Sequence, residues 1–161
     1  MPRGGPKGLD SDYCWNYLHS MSATNVQFSV GVHIMQVLHA HADEKVTSSS
    51  ITKSVNADAG SVRLVLAKLA KAGLVKTTRG RSGSSRLARP AQNISLLDIY
   101  RATAAPPVFA VHSHPVACKC VVSRQHKDTM ARVLKDSQAA FEAALARKKL
   151  SDTVEPRRRR R

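Results

Sequence analysis

Acidic residues are scarce in this chain. Eleven Asp and Glu face 26 Lys and Arg, for a formal net charge of +15 over 161 residues. That imbalance favours a polyanionic partner, nucleic acid first. A run of charge is also often just a solvated face, so the cations must coincide with a binding pattern before they carry weight. Cysteine is sparse too: three residues cannot all pair, and the count does not suggest a disulfide scaffold. No apolar stretch approaches the length of a membrane span. Arg3 and Lys7 are not followed by an apolar run, so no signal peptide is expected and the protein is placed in the cytoplasm. The GxSxG elbow, the P-loop, the dinucleotide fingerprint and paired-carboxylate motifs are missing. An enzyme is therefore not expected, and no cofactor is assigned. With 42% hydrophobic residues, the chain suffices for one globular domain.

What is present centres on residues 58–89. Val62, Val65, Leu66, Leu69 and Ala72 recur at helical spacing and form one apolar stripe. Gly60, Arg63, Leu64, Ala67, Lys68 and Lys71 take the opposite face. Asp58 stands at the N-cap position, where its carboxylate can accept from an unpaired amide of the first turn. Gly73 stands where a left-handed residue closes the helix. Residues 74–78 and 85–88 then read as two short strands around a loop carrying Gly80 and Gly83. Lys76, Arg79, Arg81, Arg86 and Arg89 put five cations on this hairpin, with no acid among residues 76–89. Over residues 53–101, ten Lys and Arg face only Asp58 and Asp98, so the basic excess lies in the domain as well as in the tail 157–161.

The flanks complete a helix-turn-helix. Residues 26–41 read as a first helix with Val30, Ile34, Val37 and Leu38 in its stripe. Residues 47–55 read as a second, with Thr47 as N-cap and Val46 and Ile51 as a hydrophobic staple. Asn56-Ala57-Asp58 makes the tight turn into the reading helix. Residues 94–103 begin with Ser95 as cap, Asp98 completing an acidic capping box, and Ile94 stapling to Ile99. The Pro106-Pro107 pair stops that helix. A last helix is expected over 124–150, with Met130, Val133, Leu134, Ala140, Phe141, Ala144 and Leu145 as its apolar stripe. The expected organisation is a flexible extension 1–20, with a short docked helix over 11–20, and a winged helix-turn-helix domain 21–107. A connector 108–123, the long helix 124–150 and a disordered basic tail 151–161 follow.

The connector concentrates soft donors. His112, His114, Cys118, Cys120 and His126 fall within fifteen residues. Cys118-Lys119-Cys120 has C-x-C rather than C-x2-C spacing, so zinc-knuckle geometry is not specified, and no metal is assigned. His33, His39 and His41 lack the HExxH pattern and read as packing or solvated residues. Lys119, Arg124 and His126 would favour a thiolate, which makes Cys118 and Cys120 candidate redox sensors; a purely structural connector is the plainer reading.

Several segments together resemble the Rrf2 family of bacterial winged helix-turn-helix regulators. They are Val-Arg-Leu-Val-Leu at 62–66, Lys-Ala-Gly-Leu-Val at 71–75, Arg-Gly-Arg-Ser-Gly at 79–83 with Arg-Leu-Ala-Arg-Pro at 86–90, and Ile-Ser-Leu-Leu-Asp-Ile-Tyr-Arg-Ala at 94–102. The likeness runs from about residue 26 to about 150. The helix, Gly-Leu-Val and wing are shared by many winged-helix families; the wing followed by Ile-Ser-Leu-Leu-Asp is more specific. The resemblance implies a mainly α fold, a winged helix-turn-helix whose long C-terminal helix packs across a two-fold axis to make a dimer. It also implies a repressor of bacterial promoters at the nucleoid, reading a palindromic site. In part of the family, three connector cysteines hold an iron–sulfur cluster. Here the connector has two and Cys14 lies far upstream, so the chain resembles a clusterless branch.

The expected interface follows from the geometry of such modules. Gly60, Ser61, Arg63 and Leu64 occupy the first turns of the reading helix, nearest base edges, with Arg63 suited to a guanine. Lys68 and Lys71 would touch phosphate. Arg79, Arg81 and Arg86 would clamp backbone or enter a narrow minor groove. Two other classes remain open from sequence: a winged helix that binds a protein, and a non-specific coat on nucleic acid.

Overall fold

The structure is a computed structural model that describes residues 11–78, 83–115 and 120–154, with side chains described from 26 onward. Helix α1 runs Ser11–Ala40, α2 Ser48–Val55 and α3 Ala59–Lys71. Strands β1 (Val75–Thr77) and β2 (Ser85–Leu87) pair antiparallel, with Val75 opposite Leu87 and Thr77 opposite Ser85. A 3-10 turn Ala91–Asn93 leads to α4 (Leu96–Ala102), then α5 (Val121–Arg147) and a final 3-10 turn Leu150–Thr153. The mainly helical fold with a two-stranded wing and a long C-terminal helix matches the sequence expectation.

Local chemistry sets the helix starts. Thr47 Oγ1 accepts from Ser50 N at 3.2 Å, and Ser50 Oγ accepts in return from Thr47 N at 3.0 Å. Asn56 ends α2 in the left-handed region at φ 53°, and Asp58 Oδ1 accepts from Ser61 N at 2.9 Å to open α3. Gly73 leaves α3 at φ +70°, which explains glycine there. Ser95 and Asp98 exchange the expected pair of bonds at 3.1 and 3.0 Å. Val46 and Ile51 are buried around α2, as are Ile94 and Ile99 around α4.

The core gathers Ile34, Met35 and Leu38 of α1 with Ile51, Val62, Val65, Leu69, Ile94, Ile99 and Leu150, all nearly or fully buried. Gly31 lets α1 approach α4: a Cβ there would meet Thr103 Cγ2 at 2.7 Å.

Four boundaries differ from the sequence reading. The stretch 11–20 is no separate element, because α1 is continuous from Ser11; no Gly or Pro interrupts it before Gly31. Helix α5 starts at Val121, three residues early, since Cys120 Sγ serves as its N-cap and accepts from Ser123 N at 3.5 Å. Ala72, expected in the α3 stripe, is exposed as the C-cap. Residues 151–154, expected as the start of a disordered tail, belong to the folded body. Leu150 is fully buried, its amide donates to Ile94 O at 2.8 Å, and Gln36 Nε2 donates to Thr153 O at 3.0 Å. Residues 155–161 lie outside the described residues.

Candidate nucleic-acid interface

At about 100° per residue, the helix α3 can be resolved into lines of side chains. Val62, Val65, Leu66 and Leu69 are buried. Gly60, Leu64, Ala67 and Lys71 run along the outermost line, and all are exposed. Arg63 and Lys68 occupy opposite shoulders. This placement separates two residues that the sequence had put on one face.

Arg63 is exposed, and its Nε donates to Ala59 O at 2.9 Å. The bond holds the guanidinium back over the first turn and leaves its two terminal nitrogens without a partner among the described residues. Ser61 is exposed beside it, its amide capped by Asp58. Hydrogen bonds from Ser61 hold the Asp58 carboxyl below its ordinary value, so the cap is ionised at neutral pH. Leu64 stands half exposed at 51%.

Lys68 is placed differently from the expectation. It is half-buried, and its Nζ donates to Gln27 Oε1 at 2.6 Å and to Thr103 O at 2.9 Å. The ammonium thereby neutralises the carbonyl end of α4 and ties α3 to α1. Two of its three donors thus serve the protein's own frame. Nothing in the sequence marks this, because a helical wheel does not say which shoulder a neighbouring helix will take.

On the Arg63 side, a groove of about 530 Å³ separates the start of α2, the outer face of α3 and the β-hairpin. Ser48 and Ser49 line one wall, Arg63 and Ala67 the floor, and Thr77 and Thr78 the other wall. No acid lines it among the described residues. The hydroxyls of Ser48 and Ser49, and of the wing threonines, are site features the sequence reading missed. The signal is the Thr-Ser-Ser-Ser run at 47–50, of which the sequence assigns a role to Thr47 alone, as a cap.

Thr78 and Ser84 close the base of the hairpin, with Thr78 N on Ser84 O and Ser84 N on Thr78 Oγ1, both at 2.9 Å. Lys76 and Arg86 are exposed and sit directly opposite each other across the two strands. Like charges in that position destabilise a hairpin, so a polyanion beside the pair would relieve it. Arg89, counted with the wing cations, instead donates to Asp98 Oδ2 at 3.0 Å and fastens the end of the wing to the α4 cap. Arg79 and Arg81 fall outside the described residues. The structure thus brings Gly60, Ser61, Arg63, Leu64, Lys71 and Arg86 to the outer side and diverts Lys68 inward.

Of the candidate thiols, Cys120 is exposed at the start of α5 and Cys118 lies outside the described residues. No helix among the described residues is long and apolar enough to cross a membrane.

Comparison with known proteins places this geometry in context. The profile of the Rrf2 family, described as an iron-dependent transcriptional regulator, matches residues 24–156. YwnA of Bacillus subtilis, named as an HTH-type transcriptional regulator, is 34% identical over 131 residues, covering 81% of this chain and 96% of that protein. A solved structure from Lactobacillus plantarum, described as a transcriptional regulator, superposes with a TM-score of 0.69 at 24% identity, covering 79% of this chain and 86% of that one. The global cysteine regulator CymR of B. subtilis gives 0.55 at 23% identity, over 78% and 91% of the two chains. These two structural likenesses speak to the fold. As for the iron in the family's description, no group of three or more His, Cys, Asp or Glu among the described residues, which leave out Cys118 and the side chain of Cys14, is disposed to hold a metal.

Proposed function

The chain belongs to the Rrf2 family and is a DNA-binding transcriptional regulator, and on that premise we propose that it acts as a homodimeric repressor on a palindromic promoter site. The acid-free groove between α2, α3 and the hairpin carries the DNA side of this reading. Arg63 and Ser61 present donors to base edges in the major groove, with Leu64 available to a thymine methyl. Lys71, the α2 hydroxyls and the wing cations Arg79, Arg81 and Arg86 engage flanking phosphates and set the register. Repression follows from occupying the promoter against polymerase in the cytoplasm.

The dimer reading rests on α5. None of its 27 residues is buried. Its C-terminal half is held to the domain by Phe141 against Tyr100, Gln138 on Tyr100 Oη and Arg101 on Glu142. Its first half shows Val121, Val122 and Val133 at 56, 72 and 50% exposure. A second copy is the occupant that would match a two-fold site.

Genomic footprinting, followed by mobility shifts on the recovered site and a scrambled duplex across several salt concentrations, tests the function. A specific regulator keeps its selectivity as salt rises. Equal loss on both duplexes would instead identify a non-specific coat. In the same assay, Arg81→Ala should weaken every duplex alike and lower the salt slope by about one.

A further inference from the structure

The connector and the first turns of α5 hold a second polar cluster that shares no lining residue with the groove. The His112 ring stacks on His126 of α5, with centroids 5.1 Å apart and planes inclined by 21°. His114 packs on His112 as well, at 5.4 Å. These groups border a cleft of about 270 Å³ lined by His112, Cys120, His126 and Lys127, with Pro115 and Val122 as its apolar edge. No carboxylate lines it among the described residues.

The chemistry of the cluster selects its ligand. No group of three or more His, Cys, Asp or Glu among the described residues is disposed to hold a metal. What the cleft lacks is negative charge. Loss of water around His112, then the charges of His126, His114 and Lys127, hold its imidazole below the ordinary histidine range. Imidazolium N–H groups and an ammonium are strong donors to oxyanions, and the positive end of α5 adds to them.

We propose that this cleft binds a small, multiply charged oxyanion of the phosphate or sulfate class, held by His112, His126 and Lys127. The anion enters with protons: it stabilises the charged imidazoles, so affinity rises as pH falls through the histidine range. The facing titratable groups are His112, His114 and Cys120 on the connector side and His126 and Lys127 on α5. The site does not rest on the repressor reading, but its edge residue Val122 also belongs to the α5 face proposed for a second copy, so the oligomeric state is recorded with every titration.

The test follows the histidine ring signals of the full-length protein by NMR in a chloride background. Sulfate is the first probe, because its charge is constant across the range, and inorganic phosphate the second. At about pH 6, either anion should move the His112 and His126 signals to saturation at millimolar concentration. The sulfate affinity should fall about tenfold per pH unit above the His112 midpoint for each proton taken up. Lys127→Met should weaken that saturable response at least several-fold. His112→Gln/His126→Gln should abolish sulfate protection against thermal unfolding, with DNA affinity in chloride unchanged. Ring signals that stay still with sulfate and phosphate, or drift linearly without saturation, overturn the site. So do signals that respond to duplex DNA alone, which would make the cluster part of the DNA contact.

Discussion

Helices α3 and α5 are both amphipathic, yet they use their apolar residues in opposite ways. Helix α3 has 13 residues and buries four of them within its own chain. Helix α5 has 27 and buries none. The shorter helix is fixed by the domain and so can present a defined outer line to a ligand. The longer one is tied to the domain through its C-terminal half and touched by the connector at His126, while Val121, Val122 and Val133 stay at least half exposed. Under the proposed function, the contrast would separate a surface that recognises from a surface that assembles.

Breaking the α3 side should cost most. Leu69 is fully buried, so Leu69→Ala should destabilise the fold by about 2–5 kcal/mol, seen as a lowered thermal midpoint, with DNA binding lost as a consequence. Val133→Glu probes the other helix. The residue is half exposed within one chain, so the folded secondary structure should hold by circular dichroism while sedimentation shifts to monomer and affinity for a palindromic site falls roughly 10²-fold. A dimer that survives this change with full affinity would place assembly elsewhere.

Finer substitutions sharpen the difference between the two shoulders of α3. Arg63→Ala should cost about 1–3 kcal/mol on the specific site and little on random duplex, a difference read by competition. Lys68→Met should do the reverse. It removes bonds to Gln27 and Thr103 and lowers stability by about 1–2 kcal/mol, leaving the salt slope of DNA binding unchanged. A fall in that slope would return Lys68 to the phosphate contacts. The smallest effect is the Asp58 cap. Its carboxyl is depressed in the folded state, so its stabilisation is present above the ordinary carboxylate range and is lost as pH falls through the lower, folded value. Asp58→Asn should therefore narrow the stability gap to the parent as the solution is acidified, as followed by thermal melts at several pH values.

The features readable from sequence were those decided within a few residues. Thr47, Asp58 and the Ser95–Asp98 pair announce helix starts because the bonds they make are local. The stripe of Val62, Val65, Leu66 and Leu69 announces a buried face because periodicity alone decides it. Cys120 is the local exception: it caps α5 through Ser123, three residues on, but a thiol is an uncommon cap and does not mark a helix start in the sequence. Features decided by distant partners were not readable. Leu150 looks like the edge of a charged tail until the backbone bond to Ile94 seats it in the core. Lys68 and Arg89 carry the same charge as their neighbours, and only the positions of Thr103 and Asp98 divert them from the ligand face. Of the interface, the outer line of α3 was legible, while the hydroxyl walls of the groove needed the packing of α2 and the hairpin against it.

The facing Lys76 and Arg86 have an outcome of their own. In the free protein their mutual repulsion loosens the two strands, and added salt should tighten them by shielding one cation from the other. On a duplex the same ions compete for the phosphates and drive the wing off. Amide exchange of the hairpin should thus slow with ionic strength when the protein is alone and quicken with it in the complex, so one pair of side chains makes a single element answer the same solute in two directions.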